Sequence, residues 1–274
     1  MSSTPAAYRV FGNPVRHSLS PQIHAAFASA TGEVMTYDLE EVPVDHFATH
    51  ARAFFDRGEA RGANVTLPFK EDARNFADRC DESASRAGAA NTLAQDDSGH
   101  IVGYNTDGAG LVADLIRLNA RLVNAEVVIL GAGGAVRGVV QPLLDAGVRH
   151  LTISNRTVER AERLVGHFDD DRLRVVPADD LDGFADLVIN GTSAGLRDEI
   201  PAVPERIVRG AVCYDMIYSS GETAFCRWAR QHGAMAAHDG LGMLVEQAAE
   251  SFRIWRGVRP DTADVLKRLS TEVS

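Results

Sequence analysis

Apolar residues occur in short runs separated by amphipathic or polar stretches, and the runs fall into two groups. In the first group Tyr8–Phe11, Val34–Leu39 and Ala63–Leu67 read as strands. Gly12-Asn13-Pro14 closes the first as a turn, and Pro68 stops the third because proline has no N–H for a ladder. Between them, helices are predicted from Ser20-Pro21, over Val44–Asp56 and over Lys70–Arg79. Ser20 is the expected N-cap, with Pro21 in the first helical position. Asn91–Gln95 and Ile101–Tyr104 flank Asp97-Ser98-Gly99, which is the pattern of a hairpin. This half reads as α/β.

The pattern changes after Asn105. A helix is predicted over Asp107–Asn119, linking the halves. Strands 127–130, 151–154, 173–176, 186–190 and 211–216 then follow, with helices over 135–146 and 157–166. Such alternation predicts a parallel sheet with right-handed crossovers. An apolar helix from Gly240 to about Arg256 and another over Thr262–Leu269 come last, free to pack on either half. Phe252 and Trp255 fall at helical spacing and read as core.

The apolar strand Val127–Leu130 runs directly into Gly131, Ala132, Gly133, Gly134 and Ala135. A strand, a glycine loop and a helix in this order bind a dinucleotide pyrophosphate: backbone N–H groups approach the phosphates and the helix N-terminus favours their charge. The fingerprint is imperfect, because Val136 occupies the third glycine position. An NAD site usually carries an acid at the end of the second strand to hold the ribose 2′-hydroxyl. Here the chain reads Ser154-Asn155-Arg156-Thr157. Arg156, with Arg160 one turn further on, offers guanidinium groups for a 2′-phosphate, which predicts NADP. The alternative role for Arg156 is decoration of a helix start.

Composition narrows the class. The chain has 274 residues, enough for two domains, and is 45% hydrophobic and 24% charged, the balance of a globular protein. A net charge of −10 with no long basic run argues against nucleic-acid or anionic-membrane partners. No apolar stretch approaches the roughly 20 residues of a membrane span, and the N-terminus lacks the apolar core of a signal peptide. Cys80, Cys213 and Cys226 are scattered, which fits reduced thiols and a cytoplasmic location. His17, His24 and the other histidines lack metal-ligand spacing, so no metal is expected. A homodimer stays open, since an isologous patch leaves no mark in one sequence.

Several motifs together resemble shikimate dehydrogenase. They are Gly12-Asn13-Pro14-Val15-Arg16-His17-Ser18-Leu19-Ser20-Pro21, Asn64-Val65-Thr66-Leu67-Pro68-Phe69-Lys70, Gly88-Ala89-Ala90-Asn91-Thr92 and Gly103-Tyr104-Asn105-Thr106-Asp107-Gly108. The glycine loop, Asn155-Arg156-Thr157, Asp215-Met216-Ile217-Tyr218 and the run Asp239–Gln247 extend the likeness over nearly the whole chain in the family's order. Ser220 stands where the family often has Pro, and Ala25 follows His24 where it often has Asn.

The resemblance implies two α/β domains with a cleft between them: a substrate domain over 1–106, completed by helices of about 240–274, and a Rossmann-like, doubly wound NADP domain over 107–239. It implies an oxidoreductase that reduces 3-dehydroshikimate to shikimate with NADPH, on the route to chorismate and the aromatic amino acids. By matching position, Lys70 and Asp107 form the catalytic pair. Ser18, Ser20, Thr66, Asn91, Asp107, Tyr218 and Gln247 bind the substrate, the two serines through its carboxylate. Gly131 to Ala135, Asn155, Arg156, Thr157, Arg160, Met216 and Gly240 line the cofactor, with Glu82 added from some members.

The chemistry suits these residues. Hydride reduction of a ketone leaves an alkoxide to be protonated, and Lys70 is either the acid or the charge that steadies the alkoxide while water delivers the proton. Asp107 would keep the ammonium charged and oriented. A lysine in the first turn of a helix opposes the helix dipole, so a purely structural Lys70 is disfavoured. Asp107 also reads as an N-cap, and Ser18 and Ser20 as turn and capping residues. Two other functions use the same fold: a quinate/shikimate dehydrogenase preferring NAD, and a dinucleotide-sensing regulator without catalysis. Ser20 (rather than Thr) and Arg156 weigh against the first, and the presence of both Lys70 and Asp107 against the second.

Overall fold

Strand β1 (Ala6–Gly12) buries Tyr8, Val10 and Phe11, so it is built to lie inside a sheet rather than at its edge. In the computed structural model, which describes residues 5–197 and 199–273, it does so. Residues 1–4, part of the N-terminus read above for a signal, and Ser274 of the C-terminal span lie outside the described residues. Strands β2 (Met35–Glu41) and β3 (Ala60–Val65) flank β1 in parallel. Helices α1 (Ser20–Thr31) and α2 (Phe47–Phe55) are the two connections. Strand β5 (Thr92–Gln95) runs antiparallel to β3 and to β6 (Ile101–Tyr104), and with β4 (Arg79–Cys80) at the edge the sheet order is β2-β1-β3-β5-β6-β4.

The last strand, β4 (Arg79–Cys80), lies where the sequence predicts the end of a helix. Helix α3 (Lys70–Phe76) stops three residues earlier than expected, and α4 (Glu82–Ala87) follows, capped by Asp81, whose carboxylate accepts the Ala84 N–H at 2.9 Å. Both elements are too short to show a period. A second correction concerns Ser20. It lies inside the first turn of α1 with Leu19 at the cap, and Ser18 Oγ accepts the Ser20 N–H at 3.2 Å. The Ser20 hydroxyl is therefore released from capping.

The other sheet is parallel throughout, with β7 (Glu126–Leu130), β8 (His150–Ser154), β9 (Leu173–Val175), β10 (Leu187–Asn190), β11 (Val212–Asp215) and β12 (Ala236–His238). Its order is β12-β11-β10-β7-β8-β9, the doubly wound arrangement whose direction reverses between β7 and β10. Val127, Ile129, Leu187 and Ile189 face a core shared with α6 (Gly134–Asp145), while Val128, Leu130 and Val188 face one shared with α9 (Ala224–Gln231). Apolar residues on both faces explain why these strands read as continuous runs. The sequence reading missed α8 (Glu205–Val208), α9 and β12. Helix α9 mixes apolar and charged residues over only eight positions, and β12 is three residues long.

The remaining helices are α5 (Asp107–Arg117), α7 (Val158–Val165), α10 (Leu241–Arg256) and α11 (Ala263–Val273). The chain divides into two compact units, residues 1–110 with 245–265 and residues 111–244 with 266–274. Among the described residues no helix is long and apolar enough to cross a membrane.

Candidate active site

In the first unit, Lys70 opens α3 immediately after the β3 loop, and Asp107 opens α5 immediately after the β6 loop. Lys70 Nζ donates to Asp107 Oδ2 at 2.6 Å. The lysine side chain is 21% exposed and the aspartate 9%, so the pair is shielded yet reachable. Asp107 is the first residue of its helix rather than the cap before it, and its own N–H donates to Asn105 Oδ1 at 3.2 Å. Its two carboxylate oxygens accept from Lys70 and from Asn91, whose Nδ2 donates to Oδ1 at 2.8 Å.

The Asn91 carboxamide cannot be turned round. The backbone N–H of Thr106, which can only donate, reaches Asn91 Oδ1 at 2.8 Å, so the nitrogen must face Asp107. The same nitrogen lies 3.2 Å from Gln247 Oε1 on α10, which brings Gln247 into the cluster. A Cβ on Gly110 would sit 2.6 Å from Gln247 Cβ, so only glycine lets α5 and α10 approach this closely within the unit.

Ser18 and Ser20 are joined to each other, Ser18 Oγ donating to Ser20 Oγ at 3.1 Å. Thr66 sits in the turn before α3, with its N–H on Phe11 O at 2.9 Å. Its methyl fills the space a side chain on Gly12 would take, 2.4 Å from that Cβ position. Two residues that the sequence reading left without a role belong to this cluster. Asn64, a buried amide between Ala63 and Val65, donates to Asn91 O, Thr92 Oγ1 and Ser251 Oγ at 3.2, 3.1 and 3.0 Å. Ser251, one turn beyond Gln247, shares a hydrogen bond with Thr92 at 2.8 Å. The available signal at position 64 was a polar residue between the apolar Ala63 and Val65, whereas Ser251, between Glu250 and Phe252, carries none.

In the second unit, the glycine loop meets the sheet at its switch point. Gly131 has φ +110°, and a Cβ there would press on Gly191 O at 3.0 Å. Val136, at the third glycine position, is fully buried. The matching space is on the other side: a Cβ on Gly191 would lie 2.4 Å from Val136 Cγ2. Gly133 and Gly134 have open space where a Cβ would go, and Gly133 is the N-cap of α6, which has no side-chain cap. Open, uncapped N–H groups at a twelve-residue helix N-terminus fit a pyrophosphate.

Asn155, Arg156, Thr157 and Arg160 follow β8, with both arginines exposed and Asn155 Nδ2 on Thr157 O at 2.7 Å. Beyond β11, buried Asp215 accepts from Thr223 Oγ1, Asn190 Nδ2 and the Ile217 N–H at 2.8, 3.1 and 3.3 Å. Burial pushes its carboxyl up from the ordinary value while these donors oppose the shift. This anchor holds the segment that carries Met216 and Tyr218. Tyr218 is half-buried, and burial raises its phenol pKa. Gly240 rests on Met216, since a Cβ there would be 2.5 Å from Met216 O. Glu82 lies in the first unit, exposed at the start of α4 and paired with Arg86 at 2.5 Å.

Residues 10–93 match the shikimate dehydrogenase substrate binding domain, residues 114–197 the shikimate / quinate 5-dehydrogenase domain, and residues 240–269 the shikimate 5′-dehydrogenase C-terminal domain. The shikimate dehydrogenase (NADP(+)) of Alkalilimnicola ehrlichii is 53% identical over 268 residues, covering 97% of this chain and 98% of the relative. The chain belongs to the shikimate dehydrogenase family. Among solved structures, an Ael1 enzyme from Pseudomonas putida superposes with a TM-score of 0.92 at 43% identity, covering 96% of this chain and 98% of that one. The shikimate 5-dehydrogenase of Thermus thermophilus, in complex with NADP(H) and shikimate, has a TM-score of 0.84 at 32% identity, covering 98% of this chain and 100% of that one.

Proposed function

We propose that this chain is an NADP-dependent shikimate dehydrogenase, reversibly reducing 3-dehydroshikimate to shikimate on the route to chorismate and the aromatic amino acids. Family membership supports the reaction class, and relatives named shikimate dehydrogenase (NADP(+)) support the substrate and cofactor. The observation within this chain that carries the reading is the 2.6 Å Lys70–Asp107 contact, braced by an Asn91 amide of fixed orientation.

In this reading the first unit binds the substrate. Ser18 and Ser20 hold the carboxylate, and Thr66, Asn91, Tyr218 and Gln247 meet ring hydroxyls or the carboxylate. Lys70 faces the carbonyl oxygen and supplies the proton, or the positive charge that steadies the alkoxide as water supplies it. Asp107 orients the ammonium and accepts from a neighbouring ring hydroxyl. NADPH provides the hydride. In the second unit, the N–H groups of Gly133 to Ala135 hold its pyrophosphate, Arg156 and Arg160 its 2′-phosphate, and Met216 and Gly240 its nicotinamide end. A cytoplasmic location belongs to the same proposal, and the free thiols of Cys80, Cys213 and Cys226 fit it.

The test is absorbance at the NADPH band with shikimate or quinate, each paired with NADP or NAD. Rapid NADPH formation from shikimate alone is expected. Equal efficiency with quinate and NAD would move the chain to the dual-specificity branch, and no turnover of either acid would leave a dinucleotide-binding protein without this activity.

A further inference from the structure

Tyr214 is fully buried in β11, yet its hydroxyl is engaged twice. It accepts the backbone N–H of Met243 at 3.2 Å and donates to Asp114 Oδ2 at 2.7 Å. Both directions are forced. A backbone N–H can only donate, and Asp114 is a carboxylate paired with Arg117, whose Nε and Nη2 reach Oδ1 at 2.8 and 2.7 Å. The Asp114 side chain is buried against the first turn of α10, where a Cβ on Gly242 would lie 2.1 Å from each of its oxygens. Only glycine at 242 leaves room for it. Three N–H groups at the start of α10 have partners: Leu241 donates to Asp239 Oδ1 at 3.1 Å, Met243 to Tyr214, and Leu244 to Gly240 O at 2.9 Å. A carboxylate at this end also has the sign that the helix dipole favours. Packing alone does not call for the hydroxyl, since phenylalanine would fill the same space with no buried oxygen to satisfy.

Two residues beyond Tyr214 the chain reaches Met216. Gly240, immediately before α10, donates its N–H to Ile217 O at 3.0 Å, and a Cβ on it would be 2.5 Å from Met216 O. The end of β11 therefore meets the start of α10 at two points, Tyr214 at Met243 and Met216-Ile217 at Gly240, all within the second unit. We propose that Tyr214, held by Asp114, is a positioning residue for the nicotinamide end of the cofactor: it fixes the first turn of α10 on the end of β11 and so sets the spacing between Met216 and Gly240. The inference rests on the proposed function, which puts the nicotinamide at those two residues. Without the hydroxyl one of the two ties is gone. The turn must then be ordered as the nicotinamide binds, which weakens binding at that end alone.

The Tyr214→Phe variant retains the ring and removes only the hydroxyl. Because the lost bond goes to a charged group, we expect Kd for NADPH, read by calorimetric titration, to rise by about tenfold or more. Kd for 2′,5′-ADP, which carries the 2′-phosphate but no nicotinamide, should stay within about twofold of wild type, as the sites that hold it are untouched. Asp114→Asn keeps the shape and one acceptor oxygen, and should show the same split at roughly twofold to fivefold. Adding it to Tyr214→Phe should cost less than about twofold more, because the aspartate acts through the tyrosine. Thermal unfolding verifies the fold of each variant, and if Tyr214→Phe does not fold, Asp114→Asn decides by the same two titrations. A wild-type Kd for NADPH, or equal losses for both nucleotides, would overturn the inference and leave the proposed function intact. A wild-type protein that binds NADPH but turns over neither acid would overturn the proposed reaction alone, and one that binds neither nucleotide would overturn both.

Discussion

Asn91 and Asp107 are joined by a hydrogen bond of 2.8 Å whose direction the backbone N–H of Thr106 dictates. The aspartate therefore receives a hydrogen from Asn91 on one oxygen and from Lys70 on the other, and its carboxylate plane is held against rotation. Asn91→Ala leaves a buried N–H and a carboxylate oxygen each short of a partner. Hydrogen bonds to charged groups contribute about 1.5–3 kcal/mol, so kcat/KM for shikimate should fall roughly 10- to 100-fold. Steady-state kinetics with saturating NADP would show it, and an unchanged kcat/KM would contradict the bracing role.

Lys70→Ala removes the cation that the proposed reading sets at the carbonyl. Proton-transfer groups typically contribute about 10²–10⁴-fold, so turnover should drop within that range. NADPH affinity, followed by nucleotide fluorescence, should stay at the wild-type value, because the lysine belongs to the first unit and the glycine loop to the second. Unaltered turnover would remove Lys70 from the chemistry.

Gly133 has an extended backbone that any residue adopts, and a Cβ there meets nothing within 4 Å. Gly133→Val should fold with near-normal stability. It should also weaken NADPH binding by about tenfold or more, since the added atoms occupy the space through which phosphate oxygens reach the N–H groups. Calorimetric titration of the variant against thermal unfolding separates the two effects.

Gly110→Ala forces a methyl group to within 2.6 Å of Gln247 Cβ. Helix α10 must shift, and the 3.2 Å contact between Gln247 and Asn91 is lost. Overpacking of this kind costs about 1–3 kcal/mol. A lower unfolding midpoint and a raised KM for shikimate are expected together, and neither would change if the two helices could simply slide.

His24 is fully buried among Phe27, Tyr37, Phe252 and Trp255, and burial lowers its imidazole from 6.5 to about 3, with the Asn64 amide opposing. The unfolded chain takes up a proton below pH 6.5 that the folded chain refuses until about pH 3. Stability from this residue is thus present above pH 6.5 and lost as pH falls. At pH 5 the loss is about 2 kcal/mol relative to neutral pH. Denaturant unfolding of wild type and His24→Phe at both pH values should show that much less acid sensitivity in the variant, and identical pH dependence would refute the assignment.

The glycine loop and the parallel strands were legible because each is written in contiguous residues with a fixed period or motif. Lys70 and Asp107 could be paired only through a family likeness, since nothing local joins residues 37 positions apart. Asn64 and Ser251 are separated by 187 positions, and strand and helix periodicity carries no information about such a contact. Short elements such as β4, α4 and β12 failed because two to six residues cannot display a period.

The space that the nucleotide fingerprint usually leaves open on the helix is found in this chain on the neighbouring strand, with Val136 filling what Gly191 vacates. The two positions are therefore coupled in their response to substitution. A methyl group added at Gly191 alone collides, and trimming Val136 alone opens a void, so neither mutation is a neutral first step. Only a joint exchange would give the loop the common three-glycine form with the space between helix and strand still filled.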